Sequence, residues 1–292
     1  MDKTKTGLLL GFICYLLWGV LSLYWKMLGH IDSYTVFSYR ILFTVVTMLV
    51  YMLLSGKTKT YQAEFKMLWE RKKWFGLMVA ASFAIALNWL TFIAAVANGR
   101  AAQASLGYYI MPLVSICLSV LVLKEHITRT GKLAIGLAGL GVLLLVVQSG
   151  EVPLVSLTLA VSFGLYGLLK KGLPVSSDFA MLFEAGCVLV FSLPYLFWRG
   201  ESFFSYSLQD MILLGLSGII TAIPLLLFAE GVKRAPLNLI GFIQYINPTI
   251  QLLIAVFVYG ETVYQEQFPA FILIWLAIGV FIWGQISQMR KA

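Results

Sequence analysis

Gln244, Asn247 and Gln251 stand at i, i+3 and i+7 within an apolar stretch, which sets three carboxamides on one face of a helix. Such a face donates and accepts hydrogen bonds, so it suits a polar cavity better than hydrocarbon. Pro248 lies in the same stretch and Pro112 at the middle of another. A proline inside a helix offers no N–H to the carbonyl four residues earlier. These two are therefore expected to kink their helices and to free the carbonyls of Tyr108 and Gln244. Tyr109 and Tyr245 lie beside the two kinks, and Trp18 and Asn88 lie deep in other apolar stretches. Asn88 either faces a cavity or makes an interhelical hydrogen bond worth roughly 0.6 kcal/mol. Arg40 sits about two turns inside its own stretch. Its guanidinium either snorkels to the headgroups or faces inward, where its planar fork would suit a carboxylate. Glu184 either pairs with Lys170 or Lys171, or takes up and releases a proton. Trp18, Arg40, Asn88, Tyr109, Gln244, Tyr245 and Asn247 thus form the candidate binding set for a small molecule. Glu184 is the candidate group for a coupling proton.

Other chemistries have no foothold. Cys14, Cys117 and Cys187 lie inside apolar stretches, without the spacing of a disulfide framework or a zinc site. His30 and His126 fall in short connections and form neither H-x-x-x-H nor H-E-x-x-H. No catalytic residue, metal or cofactor is expected. The competing class is an integral-membrane enzyme acting on lipid-linked or amphipathic substrates, which would need a nucleophile with its base or paired acids at depth. The deep acids are Glu184 and Glu230, and neither has a His neighbour in sequence. No P-loop is present to drive transport with ATP.

The elements that must hold these residues follow from composition. Of 292 residues, 60% are hydrophobic and 12% charged, against roughly a quarter charged in a soluble domain; mean hydropathy is +0.90. Candidate spans fall at 7–27, 34–54, 74–97, 101–123, 133–149, 153–169, 179–198, 211–230, 237–259 and 268–288. The first is too long for a signal-peptide core and lacks its cleavage site, so it reads as a retained helix. The net charge of +8 sits beside the spans and reads as topology, with lipid and not nucleic acid as partner. With the N-terminus inside, seventeen of the twenty-one Lys and Arg residues face the cytoplasm, leaving Lys26, Arg40, Arg100 and Arg199. Both termini are therefore expected to be cytoplasmic. The connection 55–73 carries Tyr61, Phe65, Leu68 and Trp69 among six basic residues. It reads either as a helix lying on an anionic leaflet or as a basic loop.

The chain also repeats itself. A constant offset of 136 pairs Phe92 with Phe228, Tyr109 with Tyr245, Pro112 with Pro248 and Glu125 with Glu261. The repeats are 1–150 and 151–292, five spans each, and an odd number makes the second enter the membrane upside down. An all-α fold of ten transmembrane helices in two inverted five-helix repeats is an architecture of secondary transporters, with the ligand between halves near the midplane. Gly136, Gly139, Gly141, Gly164 and Gly167 are expected to let helices pack closely.

The strings N-W-L-T-F-I-A-A-V-A-N at 88–98 and Q-A-S-L-G-Y-Y-I-M-P-L at 103–113 carry a family resemblance. So do Y-L-L-W-G at 15–19, V-S-F-G-L-Y-G-L-L-K-K at 161–171, M-L-F-E at 181–184, G-F-I-Q-Y-I-N-P-T at 241–249 and Y-G-E at 259–261. Together they resemble the RarD-like branch of the drug/metabolite transporter superfamily, with EamA domains. The resemblance implies a permease moving a solute across the bacterial inner membrane. Tyr39, Gln103 and Met111 depart from that pattern around the expected cavity.

Overall fold

Long runs of Leu, Val, Ile, Phe and Ala, punctuated by short polar connections, satisfy their backbone groups by coiling into helices, as hydrocarbon requires. The computed structural model describes residues 3–97, 101–149, 154–258 and 268–289, which form helices joined by short connections, with no strand among them. In chain order they are α1 (Lys3–Met27), α2 (Ser33–Leu54), α3 (Thr58–Glu70), α4 (Lys72–Ala97), α5 (Ala101–Leu121) and α6 (Arg129–Ser149). The second half supplies α7 (Leu154–Gly172), α8 (Ser177–Arg199), α9 (Leu208–Arg234), α10 (Leu237–Ile243), α11 (Ile246–Phe257) and α12 (Phe268–Met289). Nine segments among the described residues are long and apolar enough to cross a membrane, with α10 and α11 forming one, and Phe268–Gly284 is a shorter apolar tenth. Residues 1–2, 98–100, 150–153, 259–267 and 290–292 lie outside the described residues. With them lie Arg100, Glu151, Glu261, Glu266, Arg290, Lys291, the Y-G-E string and the boundary between repeats.

The ends are set by ordinary capping. Asp32 opens α2 by accepting from the Thr35 N–H at 2.9 Å. Burial alone would raise the Asp32 carboxyl, but hydrogen bonds from Thr35 and Tyr195 outweigh it and hold it below its usual range. Gly200, at φ 69°, closes α8 in the left-handed conformation that favours glycine.

The basic connection is a helix, α3, and its apolar stripe divides. Tyr61 and Leu68 are buried, whereas Phe65 and Trp69 stay exposed. Lys57 pairs with Asp178 at 2.6 Å, and Glu64 accepts the Ser176 N–H and hydroxyl, each at 2.7 Å. These contacts tie α3 to the start of α8.

The two halves interdigitate. α1 packs on α9 and α11, α2 on α8 and α9, α4 on α7, α5 on α7 and α10, and α6 on α12. Almost every main helix contact therefore joins one repeat to the other. Close approach at some crossings needs glycine: a Cβ on Gly218 would overlap the Phe43 carbonyl of α2, and one on Gly141 would lie 2.8 Å from the Ala270 carbonyl. Gly164 and Gly167 likewise sit against Val114 and Phe228, but nothing lies within 4 Å of a Cβ at Gly136 or Gly139. Those two glycines do not make the close packing expected of them.

Candidate functional site

A cavity of about 510 Å³ opens between the halves, walled by residues of α1, α2, α4, α5, α7, α9 and α11 and by Gln244 in the break between α10 and α11. It extends to Leu28, Gly29, Ile31 and Ser33 at the α1–α2 connection, the end of the bundle away from the termini. Trp18, Arg40, Asn88, Gln244, Asn247 and Gln251 all line it. The sequence spacing thus brings together residues more than two hundred positions apart.

The polar wall is built at a broken helix. The expected span 237–259 is two helices, α10 and α11, separated at Gln244 and Tyr245. Pro248 falls in the first turn of α11, where a missing N–H costs nothing. The Gln244 carbonyl is not free as expected: it accepts the Asn247 N–H at 3.1 Å. Breaks of this kind survive at membrane depth where they are buried or line a cavity. Ser115 donates to Gln244 Oε1 at 3.3 Å, and Gln251 donates to Asn247 Oδ1 at 2.8 Å. Pro112 behaves differently, because α5 runs through it unbroken.

Arg40 does not reach for the surface. Its guanidinium carbon lies 4.7 Å from the Trp89 ring centroid and 5.3 Å from those of Trp25 and Phe37. Its Nε is buried and has no hydrogen-bond partner among the described residues. Trp25, Phe37, Trp89 and Tyr108 all line the cavity beside it. Sequence reasoning missed this aromatic wall, although Trp89 adjoins Asn88 deep in an apolar stretch.

Asn88 does both of the things open to it. It lines the cavity, and its Nδ2 donates to the Leu159 carbonyl at 2.8 Å and to Ser162 Oγ at 3.1 Å, joining α4 to α7. Tyr109 and Tyr245 do not line the cavity. The Tyr109 hydroxyl donates to the Pro248 carbonyl at 3.3 Å, and its ring packs on Phe271; Tyr245 is fully buried. One residue along a helix turns the side chain by about 100°, so Tyr108 takes the place on the wall expected of Tyr109.

Towards the end that holds the termini, rings close the cavity. Trp18, Tyr15, Phe163 and Phe228 pack with centroids 5.2 to 6.2 Å apart, and Tyr166 stacks on Phe228 at 5.8 Å. Beyond them, Glu184 accepts from Lys170 Nζ and from the Tyr166 hydroxyl, both at 2.9 Å, with all three side chains buried. Glu230 is tied to Ser177 at 2.6 Å and to Arg234. At the α5–α6 connection Glu125 accepts the N–H groups of Leu237 and Asn238, each at 2.9 Å, and pairs with Lys171. A carboxylate at the start of α10 satisfies spare N–H groups and complements the helix dipole.

The comparisons with known proteins agree with this architecture. The model of the EamA-like transporter family matches residues 5–147 and 152–283, one match per repeat. An uncharacterized transporter of Bacillus subtilis, YojE, is 38% identical over 99% of this chain and 98% of its own. Protein RarD of Escherichia coli is 34% identical over 99% of this chain and 98% of its own. One crystal structure, 17% identical, superimposes with a TM-score of 0.73 over 96% of this chain and 98% of its own, which shows the same fold. With both halves matched and near full-length relatives above 30% identity, the chain belongs to the EamA-like transporter family, as a RarD-like membrane transporter of the drug/metabolite superfamily.

Proposed function

We propose that this chain is a secondary transporter that moves a small solute across the bacterial inner membrane by alternating access, binding it between the two repeats. The observation that carries the reading is the cavity itself: it lies at the interface of the repeats, extends to one end of the bundle and is closed at the other. In the orientation favoured by the Lys and Arg distribution, with both termini cytoplasmic, this is an outward-facing form. Trp18, Arg40, Asn88, Gln244 and Asn247 are the proposed solute contacts, while Tyr109 bonds α5 to α11 and Tyr245 packs in the core. The wall supplies amides, hydroxyls, aromatic faces and a guanidinium, groups that bind, which favours a carrier over an enzyme. Glu184 remains the proposed site for a coupling proton. To take one it must release Lys170 or Tyr166, which ties protonation to movement of α7 against α8.

Alternating access requires the closed end to open. Solutes that raise the melting temperature of the purified protein identify what the native state binds, and such a solute should show saturable counterflow in proteoliposomes. Cysteines replacing Glu125 and Lys171, joined by a short bifunctional maleimide, should stop counterflow while leaving solute stabilisation intact. Counterflow that survives the cross-link would refute the mechanism.

A further inference from the structure

We infer that the cavity binds an organic anion, a carboxylate attached to an apolar or aromatic body, with Arg40 as the group that holds the charge. The inference rests on the transporter reading and names the substrate class of that same cavity.

Half-buried Arg40 lacks the partner that a cation inside a protein ordinarily has. Among the described residues no carboxylate lies within ion-pair distance of it, and its buried Nε has no partner. A cation held deep in a membrane protein is costly and is retained where it meets an ion or substrate. The three rings around Arg40 stabilise the cation through their faces but accept no hydrogen bond in the plane of the guanidinium. The fork therefore keeps N–H donors for an acceptor that the protein does not supply. A carboxylate fits, because two parallel charge-assisted hydrogen bonds match its two oxygens.

The rest of the wall narrows the class. Among the described residues no Asp or Glu lines the cavity, so none of them balances an ammonium there. A zwitterion would bring a cation beside Arg40, and like charges repel. A net anion is favoured over an amino acid. Trp18, Phe163 and Phe92 supply apolar faces for the body of the molecule, and the carboxamides of Gln244 and Asn247 supply orientation. A volume of about 510 Å³ suits a small metabolite.

The probe set is phenylacetate, its neutral isostere phenylacetamide, the zwitterion phenylalanine and inorganic phosphate, each titrated against the melting temperature of detergent-purified protein. Phenylacetate should stabilise the wild type, and phenylacetamide and phenylalanine should bind at least about tenfold more weakly. Arg40→Gln should weaken phenylacetate about ten- to hundredfold, the span of a charge-assisted hydrogen bond. If Arg40→Gln does not fold, Arg40→Lys serves: it keeps the charge but loses the fork, and should lose about tenfold. Phosphate stabilising through Arg40 as strongly as phenylacetate would overturn the apolar half of the proposal. Equal stabilisation by phenylacetamide, persistence of the effect in Arg40→Gln, or no stabilisation of the wild type by phenylacetate would overturn the whole. Counterflow of a neutral or cationic solute, unaffected by Arg40→Gln, would leave the transporter reading intact while this inference fails. Absence of counterflow for every stabilising solute would instead count against the transporter reading.

Discussion

Lys170 and Arg40 both carry charge inside the bundle, and the structure treats them oppositely. Lys170 is 1% exposed and meets Glu184, whose second oxygen takes the Tyr166 hydroxyl. Arg40 meets rings and open space. The first arrangement is closed on itself, and removing one partner strands the other. Glu184→Gln should therefore lower stability by about 3–5 kcal/mol, the usual cost of breaking a buried pair, while Lys170→Met combined with Glu184→Leu should recover most of it. Thermal unfolding of the purified variants checks this, and a melting temperature unchanged in Glu184→Gln would contradict it. The sequence offered Lys170 or Lys171 for Glu184. Lys170 takes it, and Lys171, one residue further round α7, goes to Glu125.

At the scale of the elements, α9 and α10–α11 show how a helix in this fold is read correctly or misread. Helix positions were legible because hydrocarbon demands continuous apolar stretches, and the ten expected spans match the observed segments to within a few residues. The break at Gln244–Tyr245 was half legible: Pro248 marked the place, but its missing N–H falls harmlessly in the first turn of a new helix, and the Gln244 carbonyl finds Asn247. Small residues were the least legible, since a glycine in a span looks the same whether or not a helix crosses it. Gly218 sits under α2, with the Phe43 carbonyl where a Cβ would go, whereas Gly136 faces nothing. Gly218→Ala should cost several kcal/mol, because backbone must move to relieve the overlap. Gly136→Ala should be neutral or stabilise by about 0.5–1 kcal/mol through helix propensity. Melting temperatures of the two variants compare them directly, and equal effects would contradict the close packing of α2 on α9.

Over the whole molecule, the inverted repeat is what turns local features into a device. Each membrane-spanning helix packs mainly on partners from the other half, so a shift of one repeat against the other changes both ends of the cavity together. The repeat was visible in the sequence as paired residues at one offset, and the cavity as polar and aromatic residues at middle depth. Its floor of Tyr15, Phe163, Tyr166 and Phe228 was not, because aromatic packing in an apolar helix carries no sequence mark of which side it closes. Ser22 lines the cavity above that floor. With Cys14, Cys117 and Cys187 replaced by alanine, a single cysteine at Ser22 reports access from each side. If the cavity alternates, a membrane-impermeant maleimide labels Ser22→Cys from outside intact cells, and a stabilising solute shifts labelling in part to the cytoplasmic side of inverted vesicles. Labelling confined to one side under every condition would contradict alternating access at this cavity.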